Sequence, residues 1–237
     1  MTSECTTTTK RRLRVLLRVD IQNSFMPEDP SIPGTGELAV LAAHAIVPTV
    51  NKLSACKHFD LVIDTQDFHP EDHESFYTMH PGRQPFQTID LHGLPQVLWP
   101  PHCRQGTPGA DFYPTLDRSR VARTFQKGTD RPVDSYSGFY DNGRRKSTGL
   151  AEYLRVASRT HGCEGVEVYV VGVTRPYCVT FTARDSASEG FTTFVIADAC
   201  SMFGDFREDT ADRAKLEAAG VTFINSGDIL GDTTPSQ

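Results

Sequence analysis

No apolar run in this chain approaches the ~20 residues that a membrane-crossing helix requires. The polar, Thr-rich stretch from Met1 to Thr9 lacks the hydrophobic centre of an export signal. The final Thr-Pro-Ser-Gln is not a peroxisomal address of the Ser-Lys-Leu type. Together these absences predict a soluble, cytoplasmic protein with no membrane partner. Positive charge is also short: 24 Lys and Arg stand against 30 Asp and Glu, for a net charge of -6. That balance predicts no general attraction to nucleic acid. The basic cluster Lys10-Arg11-Arg12 and the pair Arg144-Arg145 read as solvated surface. Paired C-x-x-C units are missing, which argues against a structural zinc knuckle. The six cysteines, at positions 5, 56, 103, 163, 178 and 200, are expected as free thiols in a reducing compartment.

Internal repeats are absent too, and the 237 residues suit one domain with a substantial core. We expect that domain over 12–228, between a disordered tail at 1–11 and a second tail at 229–237. Short β-branched runs alternate with amphipathic segments. Strands are expected at 13–19, 59–65, 121–126, 166–173, 192–197 and 221–224, and helices at 38–56 (kinked or broken early at Pro48), 147–159, 177–189 and 208–219. Such alternation predicts a Rossmann-like three-layer α/β/α fold with a mostly parallel six-stranded sheet. The segment 68–115 is rich in Pro, Gly and His. A loop this long in a compact domain is usually functional, and we expect it to carry metal and substrate contacts.

In open parallel sheets the ligand crevice lies at the carboxyl ends of the strands. Asp20, Asp67, Lys127 and Cys178 all fall at or just beyond such ends. Cys178 also starts a helical pattern, where the positive helix end favours a thiolate. Asp67 and His69 lie two apart in extended chain and so share a face. With His102 they form an N₂O set suited to one divalent ion, with Zn as first choice and Fe or Mn as alternatives. His73 and Ser75 are candidate extra ligands.

Several segments carry a resemblance beyond spacing: Val19-Asp20-Ile21-Gln22-Asn23, Gln66-Asp67-Phe68-His69-Pro70, Trp99-Pro100-Pro101-His102-Cys103, Phe125-Gln126-Lys127-Gly128, Asp134-Ser135-Tyr136-Ser137-Gly138-Phe139 and Gly172-Val173-Thr174-Arg175-Pro176-Tyr177-Cys178. In these the chain resembles the nicotinamidase branch of the isochorismatase-like cysteine hydrolases. The resemblance implies the isochorismatase-like hydrolase fold and deamidation of nicotinamide in NAD salvage. It implies a catalytic triad of Cys178, Asp20 and Lys127, and an oxyanion hole from the N–H groups of Thr174 and Cys178, reached through a non-proline cis peptide at Val173-Thr174. It also places Phe25, Trp99 and Tyr136 around the substrate ring, with the metal at the ring nitrogen. A homo-oligomer is compatible with it. Two other readings stand beside this one. A related amidase acting on carbamoyl or ureido substrates is disfavoured by the metal set. A metal-binding redox sensor would leave Asp20 and Lys127 without a part.

Overall fold

A computed structural model describes residues 11–203 and 210–231. Nearly all of the expected N-terminal tail, Cys5, the first two residues of the helix expected at 208–219 and the last six residues lie outside that description. Six strands form one parallel sheet: β1 (Leu13–Val19), β2 (Leu61–Asp67), β5 (Val121–Lys127), β6 (Val166–Arg175), β7 (Thr192–Met202) and β8 (Val221–Ile224). A separate hairpin supplies β3 (Thr88–Leu91) and β4 (Leu94–Val97). The large sheet runs β5-β2-β1-β6-β7-β8, so the winding reverses between β1 and β6, which is where doubly wound sheets open their ligand crevice.

Alternation along β1 explains the layers. Leu13, Val15, Leu17 and Val19 face one core with Leu150, Leu154, Val179 and Ala183, from α2 (Leu150–Thr160) and α3 (Cys178–Ser188). Leu16 faces the other core with Val47, Val50 and Leu53, from α1 (Val47–Ala55). Helices α4 (Thr210–Ala218) and α5 (Gly227–Leu230) complete the set. α5 lies partly where the sequence predicts the start of a tail.

Two expectations change. Residues 38–56 are not one kinked helix: a 3-10 turn at Ala43–Ile46 precedes α1, and Pro48 stands in the first turn of α1. Proline is tolerated there because the first N–H groups have no intrahelical acceptor. The stretch 68–115 is not wholly irregular, since β3 and β4 pair antiparallel through His92 and Gly93, both at positive φ. Two successive positive-φ residues make the tight turn whose twist matches a hairpin.

One polar pair crosses the sheet interior. The register pairs Arg18 with Asp64, and the guanidinium grips the carboxylate with two bonds, Nε to Oδ1 at 2.7 Å and Nη2 to Oδ2 at 3.0 Å. Neither side chain is exposed. Asp64→Ala would leave the Arg18 charge buried without its partner, and such removal costs about 3–5 kcal/mol. Chemical denaturation is expected to show that loss; a variant as stable as the parent would contradict it.

Candidate active site

The sheet places the groups predicted to react. Asp20 follows β1 directly, in a left-handed turn (φ 49°) whose carbonyl accepts the Gln22 N–H at 2.8 Å; aspartate is among the few residues that visit this region readily. The register sets Asp67 beside Lys127 on neighbouring strands, so their side chains share a face. β6 carries the chain into Cys178, the first residue of α3. At Gly172, paired with Val19, an added Cβ would sit 2.2 Å from the Val19 carbonyl oxygen. Only glycine lets β6 pass β1 this closely.

Lys127 Nζ is the hub. It stands 2.9 Å from Asp20 Oδ2 and 2.5 Å from Asp67 Oδ1, and donates to the Ser135 carbonyl at 2.9 Å. Cys178 Sγ lies 3.5 Å away. Thr65 donates its hydroxyl to Asp20 Oδ1 at 2.6 Å. All four titratable groups are buried. Burial pushes the Asp20 carboxyl above its ordinary value, with Asp67 adding to the effect and Lys127 opposing it. Burial would raise Asp67 as well, but Lys127 and His69 beside it hold it well below the usual carboxylate range. Burial disfavours the charged Lys127, yet the surrounding Asp20 and Asp67 carboxylates raise it well above its usual value.

At Cys178 the helix-end effect meets opposing influences. Burial pushes its thiol well above the ordinary range, and the Asp20 and Asp67 charges reinforce this against Lys127. A helix end offers at most ~2 kcal/mol, and here it does not prevail.

Asp67 also faces the histidines. Its Oδ2 lies 3.5 Å from His69 Nε2 and 3.8 Å from His102 Nε2. His69 Nδ1 bonds the Gly128 carbonyl at 2.9 Å, and His102 Nδ1 the Pro100 carbonyl at 2.8 Å. A carbonyl only accepts, so each Nδ1 carries a proton, and Nε2 is the nitrogen each ring turns to the carboxylate. That is the tautomer and backing a divalent cation requires, and the three donor atoms lie within 4.8 Å of one another. His73 is different. Its Nδ1 accepts the Ser75 backbone N–H at 3.2 Å, with Ser75 Oγ 2.7 Å away, so its hydrogen sits on Nε2. His73 thereby presents a donor. Ser75 is turned to His73.

Gly128 holds the ring of His69. At φ 60°, an added Cβ would lie 2.4 Å from His69 Cε1 and 2.6 Å from Nδ1. Gly128→Ala must displace the imidazole from its carbonyl, and loss of such backing costs about 10–100-fold in metal affinity. Titration with Zn²⁺ is expected to show that loss, whereas unchanged affinity would refute this role for the glycine.

Above these groups opens a pocket of about 380 Å³ whose lining includes Phe25, Asp67, Trp99, His102, Tyr136, Thr174 and Cys178. The predicted ring contacts Phe25, Trp99 and Tyr136 thus share one pocket with Cys178 of the predicted triad and with Asp67 and His102 of the predicted metal set. The Trp99 indole N–H donates to the Tyr136 hydroxyl at 3.2 Å. The Val173–Thr174 peptide is cis, as the resemblance implies, and Arg175–Pro176 is cis as well. Tyr177, Asp134, Phe203, Leu38 and Val40 also line the pocket; the first two stand in the resembling segments without an assigned role, and the other three carry no recognisable signal in the sequence. Gln22 was legible through its motif but not in its role. Its amide bonds the Asp67 N–H and carbonyl, both at 2.8 Å, and so clamps the end of β2.

Comparison with known proteins extends this picture over most of the chain. Residues 14–227 match the Isochorismatase domain. A nicotinamidase of Acinetobacter baylyi is 42% identical over 91% of this chain and 94% of its own length. Among solved structures, a nicotinamidase of Acinetobacter baumanii superposes with a TM-score of 0.81 at 40% identity, covering 92% of this chain and 98% of that one. A pyrazinamidase of Pyrococcus horikoshii in complex with zinc superposes with a TM-score of 0.64 at 29% identity, covering 90% and 98%. With the sheet order, the cis turn before Cys178 and this breadth of similarity in hand, the chain belongs to the isochorismatase domain family.

Proposed function

We propose that this protein is a nicotinamidase, an amidohydrolase that converts nicotinamide and water to nicotinate and ammonia in NAD salvage. The observation that carries the reading is Asp67, which binds Lys127 with one oxygen and faces two metal-ready imidazoles with the other. A cysteine amidase site and a cation site therefore meet at one pocket with aromatic walls. The pocket wall of Phe25, Trp99 and Tyr136 offers such a ring contacts of about 0.5–1.5 kcal/mol each beyond burial.

The chemistry runs through this chain's own groups. Asp20 takes the Cys178 proton as the sulfur attacks the amide carbon, so the thiolate forms only as the new bond does. The Thr174 and Cys178 N–H groups receive the charge that develops on the carbonyl oxygen; the Cys178 N–H belongs to a first helical turn, where no intrahelical acceptor exists. Protonated Asp20 then returns its proton to the leaving nitrogen, which departs as ammonia and leaves a thioester. Asp20 next deprotonates a water that attacks the thioester. Nicotinate leaves, and the thiolate recovers the proton from Asp20. Lys127 keeps one positive charge between the two carboxylates and the sulfur throughout. Asp67, His69 and His102 would hold a divalent cation, zinc in first place, which when bound supplies a Lewis acid for the ring nitrogen and orients the amide toward Cys178.

We extend the reading to a cytoplasmic enzyme acting on a free small molecule, without nucleic acid or membrane as partner and compatible with a homo-oligomer. Among the described residues no helix is long and apolar enough to cross a membrane. The decisive experiment is ammonia release from nicotinamide by protein of known metal content, beside a ureido amide. Turnover of the ureido compound alone would overturn the assignment.

A pH profile tests the base. Asp20 acts ionised, so activity is expected to fall as acid protonates it. Lys127 lowers the Asp20 pKa, and Lys127→Met is therefore expected to move the acid limb of kcat/KM to higher pH. A limb that stays in place, or moves to lower pH, would assign it to another group.

A further inference from the structure

Sharing His69 with the three expected ligands, a second group of donors and acceptors lies beside them. Asp134, His69 and His73 are all buried, and one nitrogen or oxygen of each lies within 4.8 Å of the others. His69 Nδ1 is committed to the Gly128 carbonyl, so Nε2 is what it offers both to this group and to Asp67. One nitrogen cannot serve two ions. The second group is therefore an annex of the first site rather than another metal site.

The annex has a definite chemistry. His73 is fully buried, and its Nε2–H has no protein partner. An unmade bond of this kind costs about 1–3 kcal/mol, which points to an occupant that accepts it. Asp134 is 3% exposed and faces the pocket. Its Oδ1 accepts the Ser135 N–H at 2.7 Å, and its Oδ2 accepts the Gln96 amide at 3.0 Å. Each oxygen keeps a further lone pair. Gln96 also donates to the Tyr136 hydroxyl at 3.2 Å and the Val97 carbonyl at 2.7 Å, so the carboxylate is tethered to the β3–β4 hairpin. A donor and an acceptor thus stand beside the same histidine. Three points at most 4.8 Å apart surround a centre no more than about 2.8 Å from each, which is a hydrogen-bond distance to oxygen and longer than a zinc–nitrogen bond.

We propose that Asp134 and His73 are positioning residues that hold a solvent ligand of the cation, Asp134 accepting its hydrogen and His73 donating to its lone pair. The pair thereby sets cation affinity and keeps one coordination position hydrated beside the substrate ring. This rests on the reading of Asp67, His69 and His102 as the cation ligands.

The test is the Zn²⁺ dissociation constant of the full-length protein, measured by chelator competition, for the parent, Asp134→Asn, His73→Gln, the double variant and Asp67→Ala. Asp134→Asn and His73→Gln are each expected to weaken Zn²⁺ about 10–100-fold, as second-shell losses do. The double variant should be little weaker than the worse single one, because both groups hold the same solvent molecule. Water-proton relaxation of the Mn²⁺ form should show faster exchange in both single variants. Parent-like affinity in the single variants, with binding lost in Asp67→Ala, would overturn the proposal and spare the ligand assignment. Single-variant factors that multiply in the double would overturn the shared occupant. A parent that binds no Zn²⁺ would remove the cation site and the proposal together. The two substitutions lie on separate segments, so either one tests the idea if the other fails to fold.

Discussion

Cys178→Ala should release no measurable ammonia from nicotinamide while keeping the fold and the bound cation. Removing the nucleophile of a hydrolase triad costs on the order of 10⁶ in kcat, and no other thiol is placed to substitute. Among the described residues the remaining cysteines are 56, 103, 163 and 200. Of these only Cys103 is near the cluster, and burial holds its thiol well above the ordinary range, with Asp67 adding to the effect. The alanine fills less volume but leaves no charge unpaired, because Lys127 retains both carboxylates. Circular dichroism and metal analysis should match the parent. Residual deamidation at a few per cent would sink the nucleophile assignment.

Asp67→Ala should be the more disruptive change, because it strikes two systems at once. The cation loses its only carboxylate among the three proposed ligands, and Lys127 loses the closer of its two counter-charges. Zn²⁺ content is expected to fall below detection. With Asp67 gone, the Cys178 thiol also loses one of the charges that raise its pKa. His102→Ala should deplete metal while leaving the Lys127 ion pairs intact. Alkylation by iodoacetamide at neutral pH separates the two: Asp67→Ala should react faster than His102→Ala. Equal alkylation rates would show that Asp67 does not govern the thiol, and a fully metallated Asp67→Ala would remove it from the ligand set.

The strand ends are legible in the sequence because buried parallel strands are short, β-branched and sharply bounded. Asp20 and Lys127 stand where those runs stop. Strand lengths are less legible: β7 continues to Met202 through irregular register with β6, a tertiary effect that composition does not encode. The hairpin β3–β4 hides in a polar loop because Thr88–Leu91 is only four residues long, although His92-Gly93 is a turn signal. Gln96 and Asp134 lie 38 residues apart and meet only in space. The state of Cys178 is the clearest case of a local rule losing. Its position at a helix start is visible, but the burial that raises its pKa, and the Asp20 and Asp67 charges that add to it, arise only in the folded chain.

The proposed reacting groups and the pocket walls have different origins. Asp20, Lys127 and Cys178 ride on strand ends whose spacing is set by backbone hydrogen bonds and by the glycine contact at Gly172. The walls at Leu38, Val40, Trp99, Tyr136 and Phe203 come from connecting segments outside the sheet and helices. Such a division lets the shape of the accepted ring drift without moving the sulfur relative to its base. Substrate range is the part of this enzyme free to change, and engineering for bulkier carboxamides should start at Leu38 and Phe203, where the chain can be altered without touching the sheet.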